Sequence, residues 1–490
     1  MSTIQDLQQV QARRQEILDG DAARVEKQKK SGKLTARERV AKLLDAKSFV
    51  ELDVLVSHDG KAEGVVTGYG TVEGRPVYVL SQDYTVLGGS VGEKHARKIA
   101  KVLDLARKTG SPVVLMCDSA GARIDEGAMA LEAYADIFAR MARMSGVTPM
   151  IAMVLGPCVG AAALMSEMSD LTVMVKGVGA KLCAGPQVVS AVNGVNKTAE
   201  ELGGAQAMLQ QGGADFACES EQEAFETVRK ALALLPSNNM EDAPLEAAEE
   251  LNRACVGLEA GVDAKTLLAQ LCDAGSVLEL GAGYTKAVTA LARMGGRAVA
   301  VVHTGGGEIC AKRAQKIARF VRFADCYNLP VVTLIDTEGL SVPKENVQSW
   351  QLKAAGQMLF AYAEATTAKL AVVTGKAIGA AYVALGGRAN ADVVYAWPGS
   401  VIAPMTGEAA ATVLCGDELR ASKGDPKEAR AEIAARYEAE VADGVNAAMS
   451  GCVDDVVDPA QTRKLLIASL EMLASKRDSN PPKKHGNMPL

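Results

Sequence analysis

The chain repeats itself, and this constrains its fold more than any single motif. Ala96–Ala122, ARKIAKVLDLARKTGSPVVLMCDSAGA, aligns with Ala314–Leu340, AQKIARFVRFADCYNLPVVTLIDTEGL. Lys98 pairs with Lys316, Pro112 with Pro330, Asp118 with Asp336 and Gly121 with Gly339, each pair 218 residues apart. Further on, Gly156–Ala162 (GPCVGAA) meets Gly375–Ala381 (GKAIGAA) at a spacing of 219. Upstream, GRPVYVL from Gly74 meets GRAVAVV from Gly296. Self-similarity at a fixed offset means that one order of elements is built twice.

Each copy reads the same way locally. Ala96, Ile99, Ala100, Leu103 and Ala106 recur at helical spacing, as do Ala314, Ile317, Ala318, Val321 and Ala324. A proline then opens a short apolar run, PVVLMCD or PVVTLID, of the kind found in strands buried on both faces. A glycine-containing turn, a further helix and a second apolar strand (MIAMVL or KLAVVT) follow, and then the small-residue turn and another helix start. Alternation of this kind predicts an α/β fold with two domains, 1–250 and 251–490, joined through a partly helical linker near 236–261.

Composition narrows the function. The chain has 490 residues, 48% hydrophobic but only 4% aromatic, which suits close-packed α/β layers. A net charge of −6 argues against a nucleic-acid face, and no apolar run is long enough to insert into a membrane. The polar N-terminal stretch does not read as a secretory signal, and the ten cysteines have no CxxC spacing. Reduced thiols in the cytoplasm and no zinc ribbon are therefore expected. Four histidines, none near another, leave little room for histidine catalysis or a histidine metal site, and no metal is expected in this chain.

The small-residue turns then stand out. A strand followed by Gly-Ala-Ala and a helix leaves backbone N–H groups free at the helix start. Small side chains admit a ligand atom, and the helix dipole favours negative charge there. Such a turn is either an oxyanion hole or plain close packing of helix on sheet. Two copies at matched places weigh toward the first.

Further stretches carry a family resemblance: GKLTARERVAKLLD, SAGARIDEG, YADIF, SGVTPMIAMVLGPCVG, ELGGA, LLPSNN, KIARFVRFADCYNLPVVTLID, AYAEAT, GKAIGAAYV, DVVYAWP and the closing KKHGNMPL, in that order from Gly32 to Leu490. The sequence resembles the carboxyltransferase subunits of biotin-dependent acyl-CoA carboxylases and decarboxylases. These include propionyl-CoA carboxylase β subunits, the transcarboxylase large subunit and methylmalonyl-CoA decarboxylase α subunits. The resemblance implies two crotonase-like (ClpP/crotonase) domains, acyl-CoA on the N-terminal one and biotin on the C-terminal one. It implies a homohexamer whose sites form between the N-half of one subunit and the C-half of another. By resemblance, Gly160 and Ala161 hold the thioester oxygen, and Ala380 and Ala381 hold the biotin ureido oxygen. Gly121, Ala122, Arg123, Gly379, Tyr382 and Val383 are the implied binding residues. Substrate and cofactor then supply the base between them.

The sequence has no Ala-Met-Lys-Met biotinylation motif and no ATP-grasp pattern. Biotin is thus expected on a separate carrier protein, with a biotin carboxylase or a membrane decarboxylase subunit as the further partner. Departures from the family include alanine at 161 and 380 where relatives carry glycine, Val383, DTEGL at Asp336–Leu340, the Asn346–Leu359 stretch, and LMSEM after the first turn. An alanine at 161 or 380 keeps its N–H but is strained if φ there is positive. Arg123 either meets a CoA phosphate or pairs with Asp125 or Glu126. Cys117, Cys158, Tyr395 and Trp397 read as packing residues, Asp392 as a loop anchor, and Gln5–Lys47 as a solvated helix pair. Two other functions stay open. One is a crotonase-type hydratase, isomerase or free acyl-CoA decarboxylase, which needs a side-chain acid or base. The other is a scaffold subunit without turnover.

Overall fold

The computed structural model describes residues 3–58, 61–247, 249–342, 348–421 and 425–489. The chain forms two compact units, Met1–Asp242 with Gly281–Tyr284, and Ala243–Leu280 with Thr285–Leu490.

In the first unit an eight-stranded sheet runs in the order Val50–Leu52, Val65–Val72, Arg75–Gln82, Val113–Ser119, Met150–Val159, Leu171–Val175, Phe216–Cys218, and Ala180–Leu182 pairs with the long strand Met150–Val159. The first two junctions are antiparallel and the rest parallel. The second unit has the same order and the same directions: Leu278–Leu280, Val288–Met294, Arg297–His303, Val331–Thr337, Lys369–Ile378, Val393–Ala396, Asp455–Val456, with Val401–Ala403 on the long strand. The sequence repeat is thus a repeat of architecture.

The apolar runs become strands because both faces are covered. Val113, Val114, Leu115 and Met116 are fully buried, as are Val331, Val332, Leu334 and Ile335. The helices Glu93–Thr109 and Ala311–Cys326 turn the predicted apolar stripe onto the sheet: Ile99, Leu103, Ile317 and Val321 are all fully buried. Parallel strands of this kind end at one edge, where the turns that matter are gathered.

Two expectations change. The segment 236–263 contains no helix among its described residues. Its charged run has no apolar stripe to bury, so tertiary bonds pin it instead: Arg293 donates to Pro244 O at 2.6 Å, and Cys255 N donates to Ala460 O at 2.9 Å. The N-terminal run forms three helices rather than a pair: Thr3–Asp19, Ala22–Lys30 and Ala36–Leu43. The third starts at a capping box. Thr35 Oγ1 accepts the Glu38 N–H, and the Glu38 carboxylate accepts the Thr35 N–H. Of the Asn346–Leu359 stretch, 348–359 lies in the helix Gln348–Glu364 and 346–347 lies outside the described residues.

Candidate active site

In the first unit the strands Val113–Ser119 and Met150–Val159 lie parallel, with a register shift between Cys117 and Ser119. Beyond the shift, Gly121 (φ 105°) comes so close to the long strand that a Cβ would sit 3.0 Å from Val159 O. Val91 brackets this turn: its N–H donates to Gly121 O and its carbonyl accepts the Arg123 N–H, both at 2.9 Å. The peptides on either side of Ala122 are thereby used. The N–H of Ala122 itself has no acceptor among the described residues. The neighbouring strand passes through Gly160 (φ 60°) into the helix Ala161–Glu167. Ala163 N–H returns to Gly160 O, so Ala161 and Ala162 keep the unpaired N–H groups of the helix start.

The second unit reproduces this peptide by peptide. Gly339 (φ 102°) would place a Cβ 3.2 Å from Ile378 O. Ile309 donates to Gly339 O at 2.8 Å and accepts from Ser341 N–H at 3.0 Å, leaving the Leu340 N–H without an acceptor among the described residues. Gly379 (φ 61°) then leads into the helix Gly379–Leu385, with Ala380 exposed and Ala381 buried at its start.

Gly160, expected as a donor, is not free. Its N–H donates to Leu182 O at 2.7 Å, because Ala180–Leu182 pairs with the long strand up to that point. The free groups at the first turn are those of Ala161 and Ala162, which match Ala380 and Ala381. The left-handed conformation falls on Gly160 and Gly379, and neither Ala161 nor Ala380 has positive φ. The alanines at 161 and 380 are therefore unstrained and keep their N–H.

The remaining site residues divide. Arg123 is 3% exposed and committed inside the protein. It pairs with Glu63, donates to Glu126 at 3.0 Å and reaches Ser90 O at 2.9 Å. The ion pair with Glu126, one of its two expected readings, is present. Burial alone raises the Glu63 pKa, but the nearby His95 and the hydrogen-bonded Arg123 guanidinium outweigh it and hold the carboxyl at about 2. Tyr382 donates its hydroxyl to Cys452 O at 3.0 Å, and burial pushes its pKa up to about 12. Val383 is 53% exposed and Leu164, its counterpart after the first turn, 50%. Neither side chain fills the core.

Sequence reasoning missed the ionic cluster under the first turn. Asp118, fully buried, accepts from Lys33 and Arg39 at 2.9 Å each. Arg39, also fully buried, binds Glu221 and Leu155 O at 2.8 Å. In the second unit Asp336, the counterpart of Asp118, accepts the Lys376 N–H at 3.0 Å. Also missed was Leu340 as a donor. Its signal was its place opposite Ala122 in the repeat. The packing residues stand as read: Cys117 and Cys158 are fully buried, Trp397 donates to Thr462 at 3.0 Å, Tyr395 pairs with Ser469, and Asp392 accepts the Lys369 N–H. Among the described residues, no group of three or more His, Cys, Asp or Glu could hold a metal, and no helix is long and apolar enough to cross a membrane.

Two N–H groups from adjacent strand ends, fixed in advance, suit one oxygen on which negative charge develops. Comparison with known proteins gives the family. The carboxyl transferase domain family matches residues 27–488. The chain is 42% identical to methylmalonyl-CoA decarboxylase subunit alpha of Veillonella parvula, over 96% of each chain. It is 40% identical to the methylmalonyl-CoA carboxyltransferase 12S subunit of Propionibacterium freudenreichii subsp. shermanii, over 96% of this chain and 94% of that one. A solved transcarboxylase 12S hexamer, with methylmalonyl-coenzyme A and methylmalonic acid bound, superposes with a TM-score of 0.94 at 38% identity, covering 100% of this chain and 99% of that one.

Proposed function

The chain belongs to the carboxyl transferase domain family, and on that premise we propose that it moves a carboxyl group between biotin on a separate carrier protein and the α-carbon of methylmalonyl-CoA or propionyl-CoA. The observation that carries this reading is the doubled pair of unbonded N–H groups, Ala122 with Ala161 and Leu340 with Ala380.

In the first unit, Ala122 and Ala161 hold the thioester oxygen as the α-carbon gains carbanion character. Gly121 brings that turn against Val159, and Gly160 turns the chain so that Ala161 faces the same oxygen. In the second unit, Leu340 and Ala380 fit a ureido carbonyl oxygen, which accepts two hydrogen bonds and becomes more negative when a ring nitrogen loses its carboxyl group. Biotin, when bound, would supply the transferable carboxyl group and the basic nitrogen that takes the α-proton. The protein then needs no catalytic imidazole, in keeping with a chain in which His95 and His303 are both buried. Leu164 and Val383, half-exposed beside the two turns, border the acyl and biotin positions respectively.

The assembly that serves this chemistry is a homohexamer, with each site formed by the first unit of one copy and the second unit of another. A biotin carrier protein and a biotin carboxylase complete the system in the carboxylating direction. The 42% identity to a methylmalonyl-CoA decarboxylase subunit favours a second reading, in which a membrane decarboxylase subunit is the partner and the carboxyl group leaves the acyl-CoA.

Proline tests the donors because it deletes an N–H where a helix start tolerates its ring. Ala161→Pro and Ala380→Pro are each expected to lower biotin-dependent turnover of methylmalonyl-CoA by roughly 10²–10³-fold, the loss typical of one oxyanion donor. Acyl-CoA binding should persist in Ala380→Pro. Full activity in either variant overturns the assignment of that donor.

A further inference from the structure

Beside the second donor turn lies a loop whose backbone cannot hold itself. Gly305, Gly306 and Gly307 all have positive φ, at 85°, 66° and 61°. Three left-handed residues in a row belong to no helix or sheet pattern, so the loop must be held from outside. Two buried side chains do this. Arg313, 6% exposed on the helix Ala311–Cys326, donates one terminal nitrogen to Thr304 O at 3.1 Å and Gly306 O at 2.7 Å. His303, also 6% exposed at the end of its strand, accepts the Gly305 N–H on Nδ1 at 3.1 Å. A carbonyl, an N–H and a carbonyl in sequence are thus gripped.

The far side of the loop is tied to the donor turn. Gly307 O accepts the Glu338 N–H at 3.0 Å and the Thr337 hydroxyl at 2.8 Å. Two residues on, Ile309 makes the pair of bonds that brackets Leu340. Arg313 has no carboxylate at ion-pair distance among the described residues, and its Nε has no hydrogen-bond partner. Burying a guanidinium without a counter-charge is costly, and it is expected only where its hydrogen bonds serve a purpose. The repeat does not explain the arrangement. The position of Arg313 is His95 in the first unit, and there Arg123 reaches Ser90 O beside the corresponding loop.

We infer that Arg313 and His303 are positioning residues that set the Leu340 N–H for the oxygen held at the second turn, and that they do so only while His303 Nδ1 is free of a proton. This rests on the reading of Leu340 and Ala380 as donors. Asp336 on the adjacent strand and Asp263 favour a proton on His303, and Arg313 opposes it. Lys286 and Lys316 also lie close, the first with its backbone oxygen against Gly305 and the second with its ammonium on Ala287 O at 2.9 Å. Burial is the largest influence and keeps the imidazole below its usual range. The grip therefore survives through the usual imidazole range and is lost only at a lower pH, where the buried ring is forced to take up a proton.

The test uses the full-length chain, biotin and methylmalonyl-CoA between pH 5 and 8. Arg313→Met is expected to lower kcat at least tenfold with KM for the acyl-CoA within twofold, and Arg313→Lys to recover part of the loss. His303→Asn places an acceptor oxygen near the Nδ1 position that takes no proton. It should keep its activity at pH 7.5 and move the acid-side fall to lower pH. A wild-type rate in folded Arg313→Met, or an unmoved acid limb in His303→Asn, overturns the inference. Amide hydrogen exchange over 304–310 and 337–342 gives a readout independent of turnover. Protection there should drop in Arg313→Met, and unchanged protection overturns the inference even if the wild-type chain proves inactive. Wild-type inactivity with biotin and every short acyl-CoA counts instead against the functional reading itself.

Discussion

At the scale of single residues, the two turns show which glycines are required. Gly160 and Gly379 carry the positive φ, and a Cβ on Gly379 would lie 3.2 Å from Pro404 O. The next residue has ordinary helical backbone, so alanine there costs nothing and stiffens the helix start. Ala380→Gly gives a Gly-Gly-Ala turn and is expected to leave kcat/KM within twofold while lowering stability by up to about 1 kcal/mol. Steady-state kinetics and thermal unfolding check it, and a large gain in activity would mean that alanine at 380 is a functional restraint. The bare composition of these turns was legible because side-chain-poor residues recurred at one spacing. The commitment of the Gly160 N–H to Leu182 was not, because it depends on a strand 22 residues later closing beside the turn. Arg123 shows the same limit. Its neighbour Glu126 was in view, but Glu63 lies 60 residues away in sequence.

At the scale of elements, the strands and helices of the repeat were readable because each buries an apolar stripe or run, and burial leaves a period in the sequence. The helix Ala36–Leu43 was not read as a separate element, since it is only eight residues long and its apolar stripe is just Ala36, Val40 and Leu43. It delivers Arg39 into a fully buried position between Asp118 and Glu221. Arg39→Met removes one charge from a buried network and leaves Glu221 without that partner, a change that costs roughly 3–5 kcal/mol. The exposed pair Arg97–Glu93 on the surface of the next helix is a control, with about 0.5 kcal/mol expected for Arg97→Ala. Urea denaturation of both variants compares them. If Arg39→Met unfolds at the wild-type midpoint, Lys33 alone suffices for Asp118 and the cluster is not a stabilising one. The glycine loops at Leu87–Gly89 and Gly305–Gly307 belong to this scale too. They stand at the repeat's own spacing, but their neighbours differ, Val86 and Leu87 before the first and His303 and Thr304 before the second, so only the glycines recur and the match did not stand out.

At the scale of the molecule, duplication gives each unit one pair of unbonded N–H groups, and the proposed reaction has two oxygens for them to hold. Each unit also exposes apolar side chains on a helix that follows its turn in sequence: Val188 at 53% and Val192 at 76% in the first, Val413 at 68% and Leu414 at 69% in the second. Surfaces of this kind are covered in oligomers. If each site joins the first unit of one copy to the second unit of another, two inactive variants can repair one another. In a mixed dimer of Ala161→Pro and Ala380→Pro chains, one site collects both lesions and the other collects neither. Dissociating the two homomers, mixing them in equal amounts and reassembling them should restore about a quarter of wild-type activity, since half of randomly formed two-fold pairs are mixed and one of their two sites is intact. Sedimentation should show the mixture at about six times the 51.1 kDa chain mass. Reassembly to that mass with no recovered activity would place both donor pairs of a site on a single chain.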